Sequence, residues 1–170
     1  ADDGQHSPGD LWSGAMYKHI LAAIDGSPRS PQVLRHAAEL CARTGATLHL
    51  CHAVNVPLGL PADTWALNGE DLRARLIDHG LHELTTLAGD LHPHITPVRW
   101  GERVCRLGRP AQVIIDLAEE LKVDLIVIGC HSLDVLDRLL GTTAARVVNH
   151  AGCHVLVVRP EAPPTQGQSA

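Results

Sequence analysis

Leu125-Ile126-Val127-Ile128 sets four apolar side chains in a row, so a strand built from it has to bury both of its faces. A parallel sheet with helices packed on each side meets that demand, and the rest of the chain supplies the parts. Short apolar runs at 19–24, 47–54, 95–100, 125–128 and 153–159 alternate with longer segments of helical character. The helix at 31–44 carries Val33, Ala37, Leu40 and Cys41 on one stripe and stops at Gly45. A second, at about 70–91, buries Leu72, Leu76, Leu84 and Ala88. Pro110 opens a third, with Val113, Ile114, Leu117, Ala118 and Leu121 on its stripe, and a fourth covers about 142–150. Pro97 removes a ladder donor from the run at 95–100 and sends that strand to a sheet edge. The fold class is α/β: one domain with an open five-stranded parallel sheet and helices on both faces.

A length of 170 residues with 45% hydrophobic content suits one domain with a real core. The net charge of -5, with Lys and Arg scattered, argues against nucleic acid as a partner. No apolar run approaches the roughly 18 residues of a membrane helix. Five cysteines without a C-x-x-C pair fit reduced thiols and a cytoplasmic location. Residues 1–15 are polar and turn-rich, without the basic and apolar regions of a secretory signal, and read as a leader or extension before Met16. The domain then covers 16–160, and 161–170 form a flexible tail.

In an open α/β sheet, ligands sit beyond the carboxyl ends of the strands where the winding reverses. If strands one and four are neighbours there, Asp25 and the loop after Gly129 face one crevice. Gly129 lets a ligand approach the backbone, and Gly141 leads into a helix whose free N–H groups attract an anion. Thr142 and Thr143 add hydroxyl donors, and Asp25 suits ribose hydroxyls. Together they describe a nucleotide cradle. Each part also has a plainer use: Gly129 as a strand end, Gly141-Thr142 as a helix cap, Asp25 as a turn acceptor for the amides of Gly26 or Ser27.

Over 17–160 the residues resemble the universal stress protein family, through "YKHILAAIDGSPRS", "LHLCHAV", "RPAQVIIDLAEELKVDLIVIG" and "GTTAARVVNHAGCHVLVVRP". The resemblance implies strand order 3-2-1-4-5, a homodimer through the last strand and, in one branch, binding of ATP or AMP, with or without Mg²⁺. It carries nucleotide contacts onto Ala23, Ile24, Asp25, Ala53, Ile128, Gly129, Ser132, Gly141, Thr142 and Thr143. Ala53 and Ile128 would flank the adenine. The branch's pattern is G-x-x-G, nine residues, then G and S or T; here Ser132 stands for the second glycine and eight residues precede Gly141. Asp134 and Asp137 add negative charge close by, offset in part by Arg138.

Two functions of different class follow: a dimeric stress-response regulator that binds an adenine nucleotide and signals to a protein partner, or a dimer acting by protein contacts with its crevice empty or holding another anion. A dedicated enzyme is disfavoured. There is no G-x-x-x-x-G-K-[ST], no G-x-G-x-x-G after strand one, and no acidic residue at the end of strand three. Slow ATP hydrolysis stays compatible with the cradle. Twelve histidines do not make a metal site, since His49 and His52 alternate across a strand and His79 and His82, on one helical face, lack a third ligand. His131 sits in the expected phosphate loop, to assist an anion or face water. Cys130 stands where helix amides can lower its thiol pKa or where it simply fills space, and Cys153 reads as packed.

Overall fold

The structure, a computed structural model, describes residues 16–55, 62–91, 98–130 and 140–159, with 62–70 as backbone alone. The expected leader and tail lie outside these residues.

Nine elements alternate along the chain: β1 (His19–Ile24), α1 (Ser30–Thr44), β2 (Thr47–Val54), α2 (Ala62–Leu91), β3 (Arg99–Leu107), α3 (Pro110–Glu120), β4 (Leu125–Gly129), α4 (Thr142–His150) and β5 (His154–Val158). The sheet runs β3-β2-β1-β4-β5 with every pairing parallel, as expected. β1 and β4 are neighbours, with Ala23 opposite Ile128.

Two cores flank the sheet. Ile20, Ala22, Ile24, Leu48, Leu50, Leu125 and Val127 pack against Val33, Leu34, Ala37 and Ala38 of α1 and Leu84 and Ala88 of α2. The alternate residues Leu21, Ala23, Cys51, Ile126 and Ile128 meet Val113, Ile114, Leu117 and Ala118 of α3 and Ala144 and Val147 of α4. Ile126 and Val127 are both fully buried, on opposite faces, which is why the apolar run in β4 shows no alternation. At the end of α1, Gly45 adopts φ 73° and returns its N–H to the Cys41 carbonyl at 2.8 Å, a left-handed cap that favours glycine.

Two expectations are corrected. β3 spans Arg99–Leu107 rather than 95–100, though it does lie at the edge. Its one buried side chain is Cys105, and polar Arg99, Glu102 and Arg103 face outward, so its sequence carries little of the apolar signal that marks the inner strands. The corrected end of the strand, Arg106-Leu107-Gly108, also lacks an acidic residue. α2 begins at Ala62, eight residues before the expected start, and continues through Asn68-Gly69, a pair that reads as a turn. Leu84 and Ala88 are buried on it as expected, whereas Leu72 and Leu76 are only half-buried. Among the described residues no helix is long and apolar enough to cross a membrane.

Candidate functional site at the carboxyl ends of β1 and β4

α1 returns from β1 on one face of the sheet and α3 reaches β4 from the other, so among the described residues neither helix covers the space beyond the two strand ends. A cavity of about 250 Å³ opens there. Its wall includes seven of the ten expected residues: Ala23, Ile24, Asp25, Ala53, Ile128, Gly129 and Thr143. Gly141 and Thr142 stand outside it. Successive helical residues project about 100° apart, so Thr143 faces the hollow and Thr142 is exposed. Ser132, like His131, Asp134, Asp137 and Arg138, lies outside the described residues.

Asp25 ends β1 where Gly26, at φ 73°, turns the chain. Its Oδ1 accepts the Ser27 N–H at 3.0 Å and the Ser30 hydroxyl at 3.1 Å, so the carboxylate does fix its own turn. It is also exposed at the cavity rim, so the plainer use and the functional one coincide in a single residue.

The two loop glycines separate on inspection. A Cβ on Gly129 would stand 3.1 Å from Val33 Cγ2, so this glycine permits close packing of α1 on β4 as well as an open cavity wall. Gly141 has φ -57° and ψ 155°, a conformation open to any residue, so the turn into α4 does not itself require glycine. α4 begins without a side-chain cap on its first amides, which leaves the helix terminus without that internal acceptor.

The cavity also takes in Ser27, Arg29, Val33, Cys51, Pro110, Ile114 and Cys130, none of them expected. Simple periodicities point to several. Cys51 lies two residues before Ala53 on the same strand face, and Pro110 and Ile114 share a face of α3 at i, i+4. The Arg29 guanidinium donates from Nη1 to the Cys130 carbonyl at 2.7 Å, joining the β1–α1 turn to the end of β4. Among the described wall residues, Asp25 is the one acidic group and Arg29 the one permanent cation. Cys130 is buried, and burial pushes the thiol of Cys51 up to about 12. None of the five cysteines forms a disulfide, and burial also raises the half-buried Cys153 thiol.

The histidines behave as strand alternation requires. His49 contacts His19 and Glu102 on one face, and His52 lies 3.6 Å from Glu83 of α2 on the other. His79 Nε2 stands 3.7 Å from the same Glu83. Among the described residues no three His, Cys, Asp or Glu side chains converge as a metal site.

Residues 16–159 match the model of the universal stress protein family. Universal stress protein A homolog 1 of Coxiella burnetii is 36% identical over 143 residues, covering 84% of this chain and 96% of its own. Among solved structures, the universal stress protein UspA from Lactobacillus plantarum aligns with a TM-score of 0.69 at 23% identity, over 84% of this chain and 98% of its own. A universal stress protein in complex with cAMP gives 0.64 at 24%, over 84% and 97%. One from Arabidopsis thaliana with AMP bound gives 0.56 at 21%, over 89% and 97%. With the sheet order, the family model and the Coxiella relative in agreement, this chain belongs to the universal stress protein family.

Proposed function

We propose that this universal stress protein is a dimeric regulator that takes an adenine nucleotide into the β1–β4 cavity and signals its occupancy to a protein partner. The observation that carries the reading is the hollow itself: an apolar slot between Ala23, Ala53, Ile128 and Ile114, with a carboxylate at one rim and a guanidinium in the wall. A flat aromatic base suits the slot, a ribose suits Asp25, and a phosphate suits the cationic side. Structures of the same fold hold AMP and cAMP, which fits this assignment.

Size refines the choice. At about 250 Å³ the enclosed part falls just under the roughly 300–1,000 Å³ of small-molecule sites. That favours a nucleoside monophosphate over a triphosphate with Mg²⁺, whose tail has to leave the hollow. Among the described wall residues no nucleophile and base are paired, which supports a binding protein rather than a dedicated catalyst.

For assembly, among the described residues β5 pairs with β4 alone and is the last strand of the sheet, with Leu156 36% exposed on it and Val148 of α4 42% exposed. A second copy adding its own β5 about a two-fold axis covers that edge. Titration calorimetry with AMP, cAMP and ATP, with and without Mg²⁺, combined with light scattering, tests both parts. AMP or cAMP should bind more tightly than ATP, without help from Mg²⁺, and the mass should be twice the 18.2 kDa of one chain. A flat titration with every nucleotide refutes the ligand assignment; a mass of one chain refutes the dimer.

A further inference from the structure

We infer that Arg29 is the phosphate anchor of the cavity and makes it select anionic nucleotides over the neutral nucleoside; this rests on the nucleotide reading above. Arg29 follows Pro28 in the turn after β1, at the N-cap position of α1, yet its side chain caps nothing there. Pro31 at the start of the helix lowers the demand for a cap, because its missing N–H is one fewer donor to satisfy. The long side chain is thereby available to run along the cavity wall.

It is held in place. Nη1 donates to the Cys130 carbonyl at 2.7 Å, and the Cys130 N–H is itself bound to the Val158 carbonyl at 3.0 Å. The guanidinium is thus braced by a residue tied into the far side of the sheet. Of its five N–H donors the Cys130 carbonyl engages one, and a guanidinium fork matches phosphate oxygens in pairs.

Its surroundings strengthen the charge. Most of the described wall is apolar, with Val33, Ile114 and Ile128 among the lining side chains, and its one carboxylate among the described residues, Asp25, takes the Ser27 amide and the Ser30 hydroxyl on Oδ1. Lower local dielectric raises the attraction between a fixed cation and an entering dianion. The sequence gives a reason for such an anchor, since Ser132 stands where the family's pattern has a glycine and the spacing to Gly141 is one residue short. A cation in the cavity wall supplies donors in place of those a glycine there would have left to the backbone.

The test compares adenosine with AMP by calorimetry on the full chain, wild type and Arg29→Gln, with Arg29→Lys as a second variant that keeps the charge but not the fork. AMP should weaken about tenfold to a hundredfold in Arg29→Gln, adenosine should change less than about twofold, and Arg29→Lys should fall between. In the wild type, raising NaCl should weaken AMP but not adenosine, a readout that needs no variant. Equal weakening of both ligands makes Arg29 a brace of the fold and overturns the inference, as does salt-independent AMP binding. Wild-type protein that binds neither ligand removes the nucleotide reading and the inference together, so the two failures look different.

Discussion

Asp25 and Asp124 sit at opposite ends of the same sheet, each accepting hydrogen bonds through one carboxylate oxygen, and they do different work. Asp124 Oδ2 takes the N–H groups of Lys18 at 2.7 Å and His19 at 2.8 Å, more than a hundred residues away in sequence, and so locks the start of β1 to the entry of β4. Burial pushes its carboxyl up, but the His19 and Lys18 amides, then their charges, carry it below the ordinary aspartate value. Asp25 Oδ1 takes partners two and five residues along and fixes its own turn. At the amino end of the sheet the polar groups join strands; at the carboxyl end they surround a hollow. The contrast teaches that stability and ligand recognition are divided between the two ends.

The largest effect should come from disturbing the amino end at Gly101. β2 and β3 shift register between Leu48 and Leu50, where two residues of β3 oppose one of β2, and the His49 imidazole packs against the irregular stretch. A Cβ at Gly101 would lie 2.5 Å from both Cε1 and Nδ1 of His49 and 2.8 Å from Thr47 Cγ2. Gly101→Val should cost about 3 kcal/mol of stability in urea unfolding, with nucleotide affinity unchanged in the folded fraction. A loss under about 1 kcal/mol means that β3 yields freely, and the division proposed here loses its strongest support.

Next in size is the pair of aspartates, read against each other. Asp124→Ala strands two backbone donors and should cost about 2 kcal/mol. Its folded pKa is depressed, so the stabilisation is present above the unfolded value of about 3.8 and lost as pH falls through the folded one. Wild type and variant should therefore converge in stability below about pH 4. Asp25→Ala should cost less than about 1 kcal/mol while weakening AMP about tenfold. Urea midpoints and calorimetry on both variants check this. A reversal, with Asp25 governing stability and Asp124 affinity, would break the comparison outright.

The same division explains what the sequence made legible. The inner strands β1 and β2 and the helix α4 are readable to the residue, because burial on both faces or on one stripe leaves a periodic apolar trace. β3 was misplaced because an edge strand with a register shift buries only Cys105 and looks like a polar loop. At the site, Asp25 and Gly129 were readable because one follows and the other closes a strand at the crevice, whereas Ala23, Ala53 and Ile128 came only through the family resemblance. Arg29 was not, since its reach to the Cys130 carbonyl spans 101 residues and depends on β1 and β4 being neighbours. The signal that could have found it is chemical: a cation in the turn after the first strand, the one permanent cation among the described wall residues.

The smallest effect expected belongs to His49, whose protonation state follows from its partners. The Glu102 N–H donates to its Nδ1 at 3.0 Å, so the ring proton of the neutral form sits on Nε2, 3.1 Å from His19 Nδ1. A second proton would set a donor against the Glu102 amide and bring a charge beside His19. Burial, then His19, lowers the pKa of His49 below the usual 6.5, while the Glu102 charge pulls the other way and keeps the effect modest. Because the folded pKa is lowered, the neutral ring's contribution is complete above pH 6.5 and is lost as pH falls from there toward the folded value. Wild-type stability should then decline from pH 7.5 to pH 5, and His49→Gln, whatever its own cost, should decline less steeply over the same range, as urea midpoints at half-unit intervals will read. Parallel slopes would assign the acid sensitivity to other histidines and remove the imidazole's hydrogen bond as a pH-dependent part of the amino-end lock, leaving β3 to its pairing with β2 and the packing at Gly101.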